Sequence, residues 1–262
     1  MLKRKQASSN DEWIKTFRNI EAIVTKDEID TLVNKTVHDI KKTCRGKDAA
    51  FAWSGGKDSI ALAFVCELAG IKEAMCAVCD LEYPAFKQWI HENKPERTEI
   101  INTGQDLDWL AKNQHMLFPD NRLASRWYAI VQHKGQRQYT RRRKVDVLIL
   151  GRRKADGNYV GKRRGENTYE DREGFTRFSP LADWRHEDVL AVIHYYSLKM
   201  PPIYKWPDGF KTGTHPWPAR PYTTSVQDGW RQIYEIDPTI VKIAASKINS
   251  AKHFLEVIEH EN

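Results

Sequence analysis

The sequence predicts an α/β fold, a parallel twisted sheet with helices on both faces and helical additions at its N- and C-terminal ends. Three observations predict it. Short apolar segments alternate with stretches of helical periodicity through the first two thirds of the chain. One segment, residues 145–150, is almost continuously apolar, as a strand covered on both faces is. Another, residues 48–53, runs into a tight glycine loop and then into helix formers that Gly70 ends.

The elements follow in order. Residues 1–10 read as a disordered tail. Trp13, Phe17, Ile20 and Ile23 recur at helical spacing. Thr25 and Glu28 then form a capping box, and Ile29, Leu32, Val33, Val37 and Ile40 make the stripe of a second helix. After the glycine loop and its helix, a strand is expected over 73–80, a helix over 85–93, a strand over 99–101 and a short helix over 106–114. A helix over 122–137 presents Leu123, Trp127, Ile130 and Val131 on one face. Residues 174–179 form an additional strand, and 180–189 lead into a helix with Val189, Leu190, Val192, Ile193 and Tyr196 buried. Residues 197–222 hold six of the eleven prolines, with Tyr204, Trp206, Trp217 and Tyr222 between them. They read as a long loop whose aromatics argue against disorder. Asp237 and Pro238 start one terminal helix, with Ile240, Val241, Ala244, Ile248, Ala251, Leu255 and Ile258 on its buried face.

The composition bounds the function. With 262 residues the chain can bury a core without disulfides or metals. Four scattered cysteines suit a reducing compartment. The basic start at Met1–Gln6 leads into no apolar stretch, and no run reaches membrane-span length, so a soluble cytoplasmic protein is expected, as a homo-oligomer. The net charge of +7 is grouped. Arg137, Arg141, Arg142, Arg143 and Lys144 form one group, Arg152, Arg153 and Lys154 a second, and Lys162, Arg163 and Arg164 a third. Such grouping implies a polyanionic partner or a solvated basic face.

The glycine loop carries the chemistry. Ser54-Gly55-Gly56-Lys57-Asp58-Ser59 joins a strand to a helix, and paired glycines permit positive φ and close ligand approach. Successive amides and the first helical turn then converge on an anion, above all a phosphate. The spacing is not that of a Walker A motif. Parallel sheets bind ligands beyond the carboxyl ends of their strands, so residues 54–59, 80–82 and 151–153 should share one edge. Arg152 and Arg153 would then grip phosphate or sulfate oxygens at the same guest. Cys76 and Cys79 do not make a metal pair, because side chains three apart on a strand face opposite ways.

The loop resembles the Ser-Gly-Gly-x-Asp-Ser loop of the PP-loop ATP pyrophosphatases, phosphoadenylyl sulfate (PAPS) reductases and the small subunit of ATP sulfurylase. Pro180, Leu181, Trp184, Asp188 and Val189 match a second segment of these families, and Pro202-Ile203-Tyr204 resembles a third. The resemblance covers about residues 48–222 and implies an adenine nucleotide alpha hydrolase-like fold. It implies residues 1–47 as an N-terminal helical extension, 48–222 as the nucleotide-binding domain and 223–262 as a C-terminal helical segment packed on it. By resemblance Ser54, Gly55, Gly56, Lys57, Ser59 and Gly151 hold ATP or PAPS, Asp80 lies near the adenosine, and Lys57, Asp58, Arg152 and Arg153 are catalytic. Asp58 either helps hold Mg²⁺ or caps the helix. Gly213-Thr214-His215 and Arg220 fall where the family has a glycine turn and a basic substrate contact.

One departure matters. The reductases carry a catalytic cysteine in a C-terminal Glu-Cys-Gly-Leu-His motif, whereas the last cysteine here is Cys79. The expected chemistry is therefore cleavage of ATP to AMP and pyrophosphate with adenylylation of an acceptor, in sulfur transfer or nucleic-acid modification. The alternatives are a PAPS reductase using Cys79 or Cys44, and a non-catalytic nucleotide- or nucleic-acid-binding module. The basic runs 137–144 and 162–164 are the expected contacts for a nucleic-acid acceptor.

Overall fold

The computed structural model describes Leu2, residues 8–163 and residues 165–261, with only the backbone of Asn121, Arg122, Ala124 and Glu261. Arg164 and most of the tail before Ser8 lie outside the described residues. Ser8 and Ser9 are not tail. Ser9 caps α1 (Asn10–Arg18) in a reciprocal capping box with Glu12. A 3₁₀ turn at Ile20–Ala22 leads to α2 (Lys26–Thr43), where Thr25 and Glu28 form the box expected of them.

The α/β core alternates β1 (Ala49–Ala52), α3 (Lys57–Leu68), β2 (Glu73–Val78), α4 (Pro84–Asn93), β3 (Arg97–Asn102) and α5 (Leu107–Lys112). The helix expected over 122–137 is longer and interrupted. It comprises α6 (Asn121–Tyr128), a π turn at Ala129–His133 and α7 (Lys134–Arg143). Gly135 lets α7 lie against β2, since a Cβ there would stand 2.5 Å from that of Ala77. Then come β4 (Val147–Ile149), β5 (Thr168–Glu170), β6 (Thr176–Phe178) and α8 (His186–Tyr195).

The six strands lie in the order β3-β2-β1-β4-β6-β5. All neighbours are parallel except β5, which pairs antiparallel with β6 at the edge. The chain winds from β1 towards β3 and returns to place β4 on the other side of β1. The order therefore reverses between β1 and β4.

Segment 197–222 is not structureless. It holds a 3₁₀ turn at Pro202–Lys205, α9 (Gly209–Thr212) and a second 3₁₀ turn at Trp217–Ala219. The chain ends in α10 (Val226–Ile236), α11 (Pro238–Ala244) and α12 (Asn249–Glu261). The single terminal helix of the sequence reading is thus two. The Ser246 hydroxyl donates to the Ile243 carbonyl at 2.7 Å, taking an acceptor at the point where the helix stops. One hydrophobic cluster runs from Trp13 of α1 through Phe51 and Leu148 of the sheet to Phe254 of α12. No helix among the described residues is long and apolar enough to cross a membrane.

Candidate functional site

A cavity of about 340 Å³ opens beyond the carboxyl ends of β1 and β4, where the strand order reverses. Open parallel sheets bind ligands at this place, and the volume suits a small molecule. Four sequence segments line it. The glycine loop supplies Ser54, Gly56, Asp58 and Ser59, and the end of β4 supplies Gly151 and Arg152. Tyr128, Gln132 and Gln136 come from the helix with the π turn, and Tyr204, Thr214 and His215 from the segment after α8.

Local bonds shape the loop. Ser54 N–H donates to Ser59 Oγ at 3.0 Å, and that hydroxyl donates to the Gly56 carbonyl at 2.9 Å. Gly55 sits at φ +69°, and a Cβ there would meet the Trp89 ring at 3.0 Å, so only glycine fits. A Cβ on Gly151 would lie 3.2 Å from the Asp58 carbonyl, which lets β4 come close to the start of α3. Two of the amides expected to receive an anion are engaged internally. That of Ser54 goes to Ser59, and that of Lys57 donates to Tyr204 Oη at 2.8 Å. The amides of Gly55 and Gly56 bond to none of the described residues.

The two arginines after β4 part company. Arg152 lines the cavity, donating to Tyr169 Oη at 2.7 Å and facing His133 Nε2 at 2.9 Å. Burial and the guanidiniums of Arg152, Arg137 and Arg177 push the His133 pKa down to about 4, so its ring is a neutral acceptor. Arg153 is fully buried behind the loop, in contact with Asp58 at 2.7 Å and Asp156 at 2.9 Å. Its Nη2 also faces His186 Nδ1 at 3.1 Å, and burial with the neighbouring Arg153 and Lys57 lowers the His186 pKa to about 4.

Lys57 turns the same way as Arg153. Its side chain is buried, bonded to Asp58 Oδ2 at 2.7 Å, with its ammonium 5.0 Å from the Trp13 ring centroid. The expectation that Lys57 and Arg153 point at the guest is therefore corrected. Both brace the loop from behind and touch the cavity only through Asp58 and Asp156, which line it.

This arrangement also decides the metal reading. Each Asp58 oxygen lies against a cation, Oδ1 against Arg153 and Oδ2 against Lys57. The described residues contain no group of three His, Cys, Asp or Glu side chains able to hold a metal ion. Asp58 does not fit as a Mg²⁺ ligand.

Asp80, expected near an adenosine, is exposed after β2, accepts from Asn102 Nδ2 at 2.7 Å and does not line the cavity. Arg220 is also no cavity residue. It is buried and donates to Gln232 Oε1 at 2.6 Å and to the Pro207 carbonyl at 3.0 Å. The turn at Gly213, Thr214 and His215 does reach the cavity. All four cysteines are free and buried. Burial raises the thiol pKa of each, that of Cys44 to about 11, and the Glu82 carboxylate pushes Cys79 up further.

The first basic run is answered by acids. Arg141 makes two 2.8 Å bonds to Glu173, Arg142 pairs with Glu99, and Arg143 lies 3.3 Å from Glu99 and 3.7 Å from Glu73. Sequence reasoning missed Tyr128, His133, Gln136 and Asp156. Only His133 lies in the π turn; Tyr128, Gln136 and Asp156 reach the site through packing between elements, which local sequence does not carry.

The phosphoadenosine phosphosulfate reductase domain matches residues 48–212. The chain belongs to that family. Phosphoadenylyl-sulfate reductase from Candida auris, solved as a phosphate complex, is 12% identical with a TM-score of 0.50, over 70% of this chain and 92% of that one. NMN synthetase from Francisella tularensis is 14% identical with a TM-score of 0.47, over 70% and 76% of the two chains. NH3-dependent NAD synthetase from Campylobacter jejuni is 14% identical with a TM-score of 0.46, over 86% and 96%. The likeness is one of fold, that of the PP-loop, adenine nucleotide alpha hydrolase-like enzymes. Comparison with curated protein sequences gives no match.

Proposed function

We propose that this PAPS reductase-family protein binds ATP in the cavity between β1 and β4 and adenylylates an acceptor. An acceptor oxygen attacks the α-phosphorus, the bond from that phosphorus to the bridging oxygen breaks, and pyrophosphate leaves with the electron pair. The acceptor proton passes to solvent. The observation that carries this is that Gly56, whose amide bonds to none of the described residues, and Arg152 line one cavity at the sheet's reversal point. Amides and a guanidinium placed in advance stabilise charge on non-bridging oxygens without reorganising. Ser54 and Ser59 keep the loop in shape, and Gly151 allows the close approach of strand and helix. Lys57, Asp58 and Arg153 act as positioning residues.

The buried cysteines count against reductase chemistry, which needs an accessible thiolate. The test is turnover of ATP with Mg²⁺ in the presence of candidate acceptors. Pyrophosphate should appear in step with adenylylated acceptor, and Arg152→Gln should lower the rate about a hundredfold. Orthophosphate as the product, or sulfite from PAPS with a thiol reductant, would overturn the assignment.

A further inference from the structure

Five flat side chains form an unbroken series from the cavity into solvent. Tyr128 lines the cavity and meets His133 edge-on, ring centroids 4.6 Å apart. His133 faces the Arg152 guanidinium at 2.9 Å, and Arg152 donates to Tyr169 Oη at 2.7 Å. Tyr169 in turn meets Tyr159 edge-on at 4.9 Å. The series begins and ends on exposed rings, Tyr128 at 38% and Tyr159 at 52%. Single exposed aromatics are ordinary, but these two are joined to one guanidinium through His133 and Tyr169.

The Arg152 guanidinium within this series has no carboxylate partner among the described residues, and its histidine partner is neutral. Arg152 differs in this from Arg141, Arg142 and Arg143, which Glu73, Glu99 and Glu173 answer. Exposed Arg137 also bears on His133, and exposed Lys162 lies in the loop between Tyr159 and Tyr169, where Arg163 stands 4.0 Å from Glu166. Positive charge interleaved with accessible rings is the chemistry that holds unpaired bases and their phosphates.

We infer that this series is the acceptor track, and that the acceptor is a single-stranded nucleic acid. Its bases stack on Tyr159 and Tyr128 and its backbone runs past Arg152, so the strand is led to the cavity. A duplex keeps its base faces stacked internally and cannot use the rings. The inference rests on the proposed adenylylation for its chemical purpose, and on the tyrosines for its binding.

The experiment is fluorescence anisotropy of the full chain with a short fluorescein-labelled oligonucleotide, as single-stranded DNA, single-stranded RNA and DNA duplex, across a salt series. The DNA and RNA arms tell which sugar is preferred. Single strands should bind about tenfold or more tighter than duplex, and Tyr159→Ala and Tyr128→Ala should each weaken them about tenfold at an unchanged salt slope. Arg152→Gln should flatten that slope by about one phosphate contact. Tyr159 is half in solvent, so its variant reads binding rather than folding, and circular dichroism checks this. Equal affinity for duplex, or indifference to both tyrosine changes, overturns the inference. Pyrophosphate release with a small acceptor and no strand binding overturns it while leaving the adenylylation reading intact. Tyrosine-dependent strand binding without ATP turnover supports it and removes that reading instead.

Discussion

Arg152 and Arg153 are neighbours in the chain and opposites in the fold. One lies at an open cavity between a neutral histidine and a tyrosine. The other is buried behind the loop, against Asp58, Asp156 and His186. The backbone at Arg153 is extended, with φ −131° and ψ 146°, and extended residues send successive side chains to opposite sides. The difference shows that the site has a working front and a structural rear, with the glycine loop as the partition. A guanidinium free of carboxylates can receive an anion, whereas one gripping two carboxylates fixes geometry.

Arg153→Met tests the rear most severely. It leaves Asp58 and Asp156 beside each other without their shared cation, and the loss of folding free energy should be about 3 kcal/mol, read from urea denaturation. Arg152→Gln should leave the same midpoint within error. Equal destabilisation by the two changes would erase the distinction between front and rear.

Acid should strain both walls. His133 and His186 titrate near 4 in the fold against about 6.5 unfolded, so the unfolded chain binds more protons between those values. Their contribution is full above about pH 6.5 and falls as pH drops towards about 4. Glu82, raised to about 8 by burial, acts with the opposite sign, losing stability as pH rises from about 4.5, so it is held constant by comparing variants. His186→Asn and His133→Asn should each remove part of the acid slope in denaturation midpoints. An unchanged slope in both would contradict the neutral rings.

The smallest effect belongs to the seam. Tyr204→Phe removes the hydroxyl that accepts from the Lys57 amide at 2.8 Å, and should lower stability by about 1 kcal/mol in thermal melts. No change would mean that the amide finds another acceptor.

Much of this was legible beforehand. The strand, glycine loop and helix at Ala49–Leu68 follow from an apolar run, two glycines and a block of helix formers. The apolar run at 145–150 marked β4, although ladder pairing covers only Val147–Ile149. Thr168–Glu170 was missed because an edge strand of mixed polarity has no apolar run to mark it. α10 was missed although Ser225 caps it and Trp230 and Ile233 give it a buried face, a signal that was there to use. α8 reads as an amphipathic helix, but His186 to Ile193 are all buried, because α1, α2 and α3 cover it. The opposite aim of Arg152 and Arg153 was also available, since consecutive residues leaving a strand cannot both face one ligand. What could not be read was the closing of the cavity by residues far along the chain, which depends on tertiary packing alone.

The bond from Lys57 to Tyr204 spans 147 positions. A ribosome making this protein therefore releases the glycine loop long before the tyrosine that completes it exists. The growing chain carries the loop without this hydroxyl through most of its synthesis, and the cavity closes late, when segment 197–222 docks.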